Sequence, residues 1–112
     1  MNYRTIPERD WKYASKLKSK FLDRLCQRIN SKSLSILNDL TQTQHDRYLT
    51  LYRHIKESDR LIAIGFNDWK RSMAFQCLTF YRQQGLMTNE EYDGLSDETK
   101  QVIALYLGTD ES

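Results

Sequence analysis

The residues best suited to catalysis or metal binding are scattered along this 112-residue chain. His45 and His54 are nine residues apart, and neither has a cysteine or carboxylate at a metal-ligand spacing. Cys77 lies on the apolar side of a helical pattern with no histidine motif beside it, which is typical of a packed thiol. The sequence contains no glycine-rich phosphate loop and no G-x-S-x-G motif. It therefore predicts a protein that is not an enzyme and that uses no metal or cofactor.

Five cationic residues recur every four positions near the N-terminus: Lys16, Lys20, Arg24, Arg28 and Lys32. On a helix this spacing forms a basic ridge that could contact the phosphates of a nucleic acid. The same pattern is typical of the solvated face of an amphipathic helix. No stacking aromatic residues alternate with the five cations, so binding of single strands is poorly supported. A basic helical nucleic-acid-binding protein is therefore the alternative function.

A second group of chemically distinctive residues combines aromatic and cationic side chains: Tyr52, Arg53, His54 and Arg60. Tyrosine and arginine are concentrated in protein–protein interfaces, where they often dominate the binding energy. Ordinary packing with surface charge would explain the group equally well. The elements that carry these residues decide between the two interpretations.

Long helices are indicated by the 57 residues between Pro7 and Gly65, which include neither proline nor glycine. A first helix from Glu8 to about Leu40 would be roughly 50 Å long. Such a helix extends beyond a small domain and exposes an apolar stripe unless another chain covers it. The sequence therefore predicts a homodimer or a partner-binding stalk.

The second and third helices are marked by capping signals. Thr43, followed three residues later by Asp46, predicts the start of a second helix antiparallel to the first. Asn67 or Asp68 is suited to begin a third helix that includes Trp69. A glycine in the left-handed conformation, Gly85, would end that helix.

Two further helices complete the prediction. Thr88 and Glu91 form a T-x-x-E capping box for a short helix, and Ser96 caps a last helix that ends near Gly108. The predicted fold is all-α, with a single domain in which a long antiparallel helical stalk (about 8–64) precedes a small helical head (about 65–108). We expect this molecule to be dimeric.

Composition is that of a globular protein, with 29% charged and 39% apolar residues. The net charge is +6 over residues 1–32 and −4 over the remainder, an asymmetry that favours an acidic partner or antiparallel self-association. No apolar run is long enough to span a membrane, and the N-terminus lacks the apolar core of a signal peptide. Cys26 and Cys77 form no CxxC pattern, so we expect a cytoplasmic protein with reduced thiols.

From Leu49 onward the chain resembles the fluorescence recovery protein family of cyanobacteria. The matching residue types are Arg60, Gly65, Asp68, Ser72, Gly85-Leu86, Glu90-Glu91, Leu95 and Ile103, and upstream Trp11 and Phe21 match with a small offset. The family's leucine-tryptophan-arginine stretch matches Leu51-Tyr52-Arg53 only with a two-residue shift. Without that shift its tryptophan aligns with Thr50, so the tryptophan is absent in either register.

The resemblance implies an antiparallel-stalk dimer that binds the photoactivated orange carotenoid protein and speeds its return to the dark state, without a cofactor. The expected function is that of a non-enzymatic regulatory adaptor for this client or another one. The dimer interface would include Leu49, Leu51, Tyr52, Arg53 and Arg60. Partner binding would involve Arg60 and, on the head, Phe75 and Lys100. A purely structural dimer within a larger assembly is a third possibility.

Overall fold

The computed structural model describes residues 5–108, and every regular element in that range is helical. The all-α class predicted from the sequence is thus confirmed. The helices are α1 (Glu8–Leu37), α2 (Gln44–Phe66), α3 (Ala74–Gln83), α4 (Asn89–Asp93) and α5 (Asp97–Leu107), and a 3-10 turn over Arg71–Met73 leads into α3. The molecule is elongated, with extents of 55 × 28 × 25 Å.

The first helix is continuous through the polar stretch that separates Ile29 from Leu34. Within that stretch Ser33 Oγ donates a hydrogen bond to the Ile29 carbonyl at 2.8 Å, a contact that a serine makes without leaving the helix. The helix ends at Leu37, so the predicted end near Leu40 was three residues late. Asp39 accepts hydrogen bonds from the backbone N–H and the hydroxyl of Thr41 and so favours a turn here.

Helices α1 and α2 form an antiparallel hairpin, as predicted. Arg47 Nη1 donates to the Leu37 carbonyl at 2.8 Å, whereas His54 Nε2 lies 3.0 Å from the carbonyl oxygen of Ile29. Residues later in α2 therefore contact residues earlier in α1, as expected for antiparallel helices. The start of α2 was also predicted correctly, because Thr43 Oγ1 accepts a hydrogen bond from the Asp46 N–H at 3.0 Å.

The start of α3 was predicted wrongly. Asn67 ends α2, and Trp69 lies before the 3-10 turn instead of inside α3. The indole of Trp69 stacks on Trp11 with the ring centroids 4.7 Å apart, and its Nε1 donates to Ser15 Oγ at 3.2 Å. These contacts with α1 hold Trp69 outside the helical path, and the next residue, Lys70, is extended.

The predicted ends of the later helices are confirmed. Gly85 has a φ of 72°, and the Leu86 N–H donates to the Tyr81 carbonyl at 2.9 Å, which closes α3 in a Schellman motif. Thr88 and Glu91 form the complete capping box at the start of α4. Gly108, also with a φ of 72°, ends α5.

One hydrophobic core joins α1 to the C-terminal helices. Its fully buried members include Phe21 and Leu25 of α1, Leu78 and Tyr81 of α3, and Ile103 of α5. The Tyr81 ring lies 4.9 Å from the Phe21 ring. These contacts fix the N-terminal part of α1, and the C-terminal part of that helix has α2 as its neighbour.

A buried carboxylate reinforces this attachment. Asp10 is 0% exposed, and its carboxylate accepts hydrogen bonds from the Ser96 N–H, from Ser96 Oγ and from Thr99 Oγ1. The two oxygen–oxygen distances are both 2.5 Å. The predicted cap residue of α5 is thereby held by the first turn of α1, and the negative charge lies at the positive end of the α5 dipole.

The contact between α2 and α3 depends on the absence of a side chain at Gly65. A Cβ atom at this position would lie 2.5 Å from Phe80 Cε2, and the Gly65 carbonyl accepts a hydrogen bond from the Tyr81 hydroxyl at 2.6 Å. The Phe80 ring is packed in the core, so it cannot easily move away from an added Cβ atom. The Gly65 backbone is likewise held in place by its hydrogen bond with Tyr81.

We predict that Gly65→Ala lowers the free energy of unfolding by about 1–3 kcal/mol, because overpacking outweighs the gain of roughly 1 kcal/mol in helix propensity. Urea denaturation would measure the change. Adding Phe80→Leu should recover part of the loss, because leucine is smaller than the phenyl ring that the new methyl group contacts. A Gly65→Ala variant as stable as the wild type would contradict this prediction.

Candidate partner-binding surface

Large apolar side chains are exposed at the end of the hairpin where α1 turns into α2. Six residues, each at least 40% exposed, form what we name the hairpin-tip apolar surface: Leu34, Leu37, Leu40, Tyr48, Tyr52 and Ile55. Scattered apolar residues are normal on a protein surface, whereas a concentration of this kind marks an interaction site. The hairpin tip is therefore the candidate functional site.

Helical periodicity places five of these residues on the same side of the hairpin. Tyr48, Tyr52 and Ile55 are spaced by four and three residues and so share one face of α2. Leu34 and Leu37 are three residues apart on α1. At about 100° of rotation per residue, and with the two helices antiparallel, both sets lie on the same flank of their common interface. They form one apolar face that two helices build together.

Two of the aromatic side chains on this face have polar neighbours. The Tyr52 ring lies 5.5 Å from Lys56 Nζ in a cation–π contact, and the Tyr48 ring lies 6.4 Å from the His45 ring. Both tyrosines remain more than half exposed. A large ring beside a cation is the kind of group that dominates binding energy when an interface buries it.

The residues predicted for the dimer interface all lie on α2, but their accessibility differs. Leu49 and Leu51 are half-buried, whereas Tyr52, Arg53 and Arg60 are exposed. The Arg60 guanidinium contacts the carboxylate of Glu57 at 3.1 Å, and both side chains are about two-thirds exposed. Such an exposed pair contributes little to stability and leaves the arginine accessible to a partner.

The two residues predicted for partner binding on the head lie elsewhere. Phe75 is only 8% exposed and belongs to the hydrophobic core, so little of its ring is available for a direct contact. Lys100 is half-buried on α5, where its Nζ lies 3.7 Å from Asp97 and 3.9 Å from Asp93. The burial of Phe75 depends on tertiary packing, which the sequence pattern did not reveal, whereas the carboxylates beside Lys100 are its near neighbours along the chain.

Sequence reasoning assigned no interface role to Tyr48, Ile55, Leu34 or Leu37. Their periodicity was visible, but a periodic apolar stripe ordinarily marks the face that a helix turns toward its own core. The distinction between a buried and an exposed stripe depends on which neighbouring helices extend that far. This information comes from the tertiary structure.

The basic ridge of α1 divides into two kinds of residue. Arg24 makes two hydrogen bonds to the Glu91 carboxylate, at 2.7 and 2.9 Å, and a third to the Leu86 carbonyl. Arg28 donates to the Gln84 carbonyl at 2.8 Å. These two arginines hold the segment between α3 and α4 against α1, so their N–H groups are already engaged within the chain. The exposed lysines of the ridge remain accessible to phosphate groups.

The residues considered for chemistry remain dispersed in the structure. Across residues 5–108, no three histidine, cysteine, aspartate or glutamate side chains come together in a group that could hold a metal ion. Burial, with a smaller contribution from the Asp68 charge, raises the pKa of the Cys77 thiol and disfavours the nucleophilic thiolate. None of the described helices combines the length and the apolar character needed to cross a membrane.

Comparison of this chain with protein-family models, with curated proteins and with solved structures finds no match in any of the three.

The ion pair between Arg24 and Glu91 makes stability depend on pH. Its hydrogen bonds lower the pKa of the Glu91 carboxyl from 4.5 to about 2, and burial opposes this shift in part. A lowered pKa means that the folded state favours the ionised carboxylate. The stabilisation is therefore fully present above the ordinary pKa and is lost as the pH falls toward 2.

We predict that Glu91→Gln lowers the free energy of unfolding at pH 7 by about 1–3 kcal/mol, and that this difference shrinks as the pH is lowered from 5 to 2.5. Urea denaturation at a series of pH values would measure it. Glu90→Gln removes the adjacent exposed carboxylate and serves as the matched control, which should retain the acid sensitivity of the wild type. If the stability difference between Glu91→Gln and wild type stays constant with pH, the ion pair of Glu91 with Arg24 is not the source of the pH dependence.

Proposed function

We infer that this chain is a non-enzymatic, dimeric regulatory adaptor that resembles fluorescence recovery protein. In this proposal the α1–α2 hairpin is the stalk through which two copies associate, and α3–α5 form the head. The client is the photoactivated orange carotenoid protein or another protein with two conformational states. The hairpin-tip apolar surface is the observation that carries the proposal, because water contacts most of it in the single chain.

A second copy of the chain is suited to cover this surface. In a two-fold symmetric pair, Tyr48, Tyr52 and Ile55 of one protomer would pack against the same face of its partner. The charge difference between the basic N-terminal part and the acidic remainder favours an antiparallel arrangement. Self-association would thus remove the most apolar part of the stalk from water.

Recognition of the client would act by differential binding. An adaptor shifts a conformational equilibrium only to the extent that it binds one conformation more tightly than the other. Interface chemistry on α2 is offered by the exposed cations Arg53 and Arg60 and by the exposed Tyr52 ring, which lies beside the Lys56 ammonium group. Lys100 offers a partly neutralised cation on the head, and Phe75 contributes to the hydrophobic core of that head.

The nucleic-acid alternative has weaker support. Its affinity would come from neutralised phosphates, and Arg24 and Arg28 already contact groups of the same chain. Lys16, Lys20 and Lys32 are exposed but provide only part of the proposed ridge. A structural dimer would use the same apolar surface without changing a client.

We place the adaptor in the cytoplasm, where thiols remain reduced. Cys26 and Cys77 are both free, which is compatible with that compartment.

For the dimer, we predict that Tyr52→Glu weakens self-association by about 100-fold or more, because a charge would be buried in an apolar interface. Sedimentation velocity over a concentration series would measure the effect. Thr50→Glu introduces the same side chain on the opposite side of α2 and should leave the dimer intact. A wild-type chain that sediments as a monomer at all concentrations would contradict the proposed self-association.

For the client, we predict that micromolar wild-type protein accelerates the dark recovery of photoactivated orange carotenoid protein, measured by visible absorbance. Arg60→Glu should reduce this acceleration by about tenfold or more, as expected for reversal of an interface charge. Lys16→Glu makes the same charge change on α1 and should retain the activity. If a folded dimer produces no acceleration, this client is wrong, and affinity capture would be used to identify another.

A further inference from the structure

A polar cleft lies on the other side of the hairpin tip. Its volume is about 700 Å³, and the hydrogen-bond donors that line it are Lys32, Ser35, Asn38, Gln42, Arg47 and Thr50. The periodicity that groups the apolar residues on one flank of α1 and α2 places these polar ones on roughly the opposite flank. The cleft has the size of many small-molecule sites, although its lining is more polar than usual.

Two cations approach the cleft from different helices. Arg47, on α2, is anchored by the hydrogen bond from its Nη1 to the Leu37 carbonyl, and its Nε is buried without a hydrogen-bond partner among the described residues. Lys32, on α1, is exposed and forms no ion pair within residues 5–108. The guanidinium is thus positioned by the protein, whereas the ammonium group is free to move toward a ligand.

The carboxylate that lines the cleft belongs to Asp39. It accepts hydrogen bonds from the Thr41 N–H at 3.1 Å and from Thr41 Oγ1 at 2.6 Å, and these bonds lower its pKa and keep it ionised. Two cations and one anion leave the lining with one excess positive charge. The remaining acceptor positions of Asp39 would repel a bare anion but would accept a hydrogen bond from a hydroxyl group.

We propose that this cleft binds a phosphate monoester of a small polyol. The phosphate would lie between Lys32 and Arg47, and a hydroxyl group of the ligand would donate to Asp39. A phosphate monoester carries nearly two negative charges at neutral pH and three acceptor oxygens, so it satisfies more of the surrounding donors than a carboxylate can. The guanidinium of Arg47 has five N–H donors, and those that the Leu37 carbonyl and burial leave available can donate to a phosphate oxygen.

This site is independent of the proposed adaptor function. The cleft and the hairpin-tip apolar surface occupy opposite sides of the hairpin, so a ligand in the cleft leaves Tyr52 and Ile55 uncovered. Binding of the ligand and self-association can therefore be measured separately, and the failure of one does not imply the failure of the other.

The experiment is a titration of the full chain followed by two-dimensional amide NMR at constant ionic strength. The probes are glycerol 3-phosphate, inorganic phosphate, glycerol and acetate. We expect saturable shifts confined to residues 32–50, with tighter binding of glycerol 3-phosphate than of inorganic phosphate, and no saturable shift with glycerol or acetate.

Two variants with opposite expected effects sharpen the test. Lys32→Gln should weaken binding of glycerol 3-phosphate by about tenfold, the change expected from one lost charge-assisted hydrogen bond, whereas the matched control Lys16→Gln should leave it unchanged. Asp39→Asn should strengthen binding of inorganic phosphate, because it removes a repulsive charge, and should reduce the preference for glycerol 3-phosphate.

Three results would overturn the proposal. The first is the absence of saturable shifts around the cleft. The second is an equal response to acetate and to phosphate at the same ionic strength, which would indicate non-specific anion binding. The third is an equal loss of affinity in Lys32→Gln and Lys16→Gln, which would show that net charge and not the cleft determines the response.

Discussion

The arrangement of this molecule depends on the buried carboxylate of Asp10, which joins elements from opposite ends of the chain. A charged group removed from water is strongly destabilising unless hydrogen bonds replace its hydration. Here the backbone N–H and hydroxyl of Ser96 and the hydroxyl of Thr99 replace it, and the N-terminal dipole of α5 adds a favourable field. The first turn of α1 is thereby attached to α5. Together with the core contacts of Phe21 and Leu25, this attachment leaves the N-terminal part of α1 in the core and the C-terminal part extending beyond it.

The extended part explains why the hairpin tip exposes two chemically different sides. A 30-residue helix is about 45 Å long, and the C-terminal helices cover only its N-terminal part. Beyond Ile29 the helix packs mainly against α2, and a pair of helices can bury only the narrow strip along which they touch. One flank of that strip carries Leu34, Leu37 and the tyrosines, and the other lines the polar cleft. The two proposed binding functions use these two flanks.

The features that the sequence predicted correctly are those determined within a few residues. The capping box of Thr88 and Glu91 and the left-handed Gly85 are local, and both are observed. The start of α3 was missed because Trp69 is held by Trp11, which lies far away along the chain. The same distinction applies to the candidate site. The exposure of Tyr52 and Arg60 agrees with a position on an outer face of α2, whereas the burial of Phe75 depends on how α3 packs into the core.

The basic ridge shows why a charge pattern alone does not identify a ligand. Five cations at a spacing of four residues look equivalent in the sequence, yet their surroundings in the fold are different. Arg24 and Arg28 lie beside the segment between α3 and α4, where a guanidinium can donate to several carbonyl and carboxylate oxygens at once. Lys32 lies past that segment and lines the polar cleft. The two arginines therefore contribute to the fold, and the lysine beyond them has its charge available for a ligand.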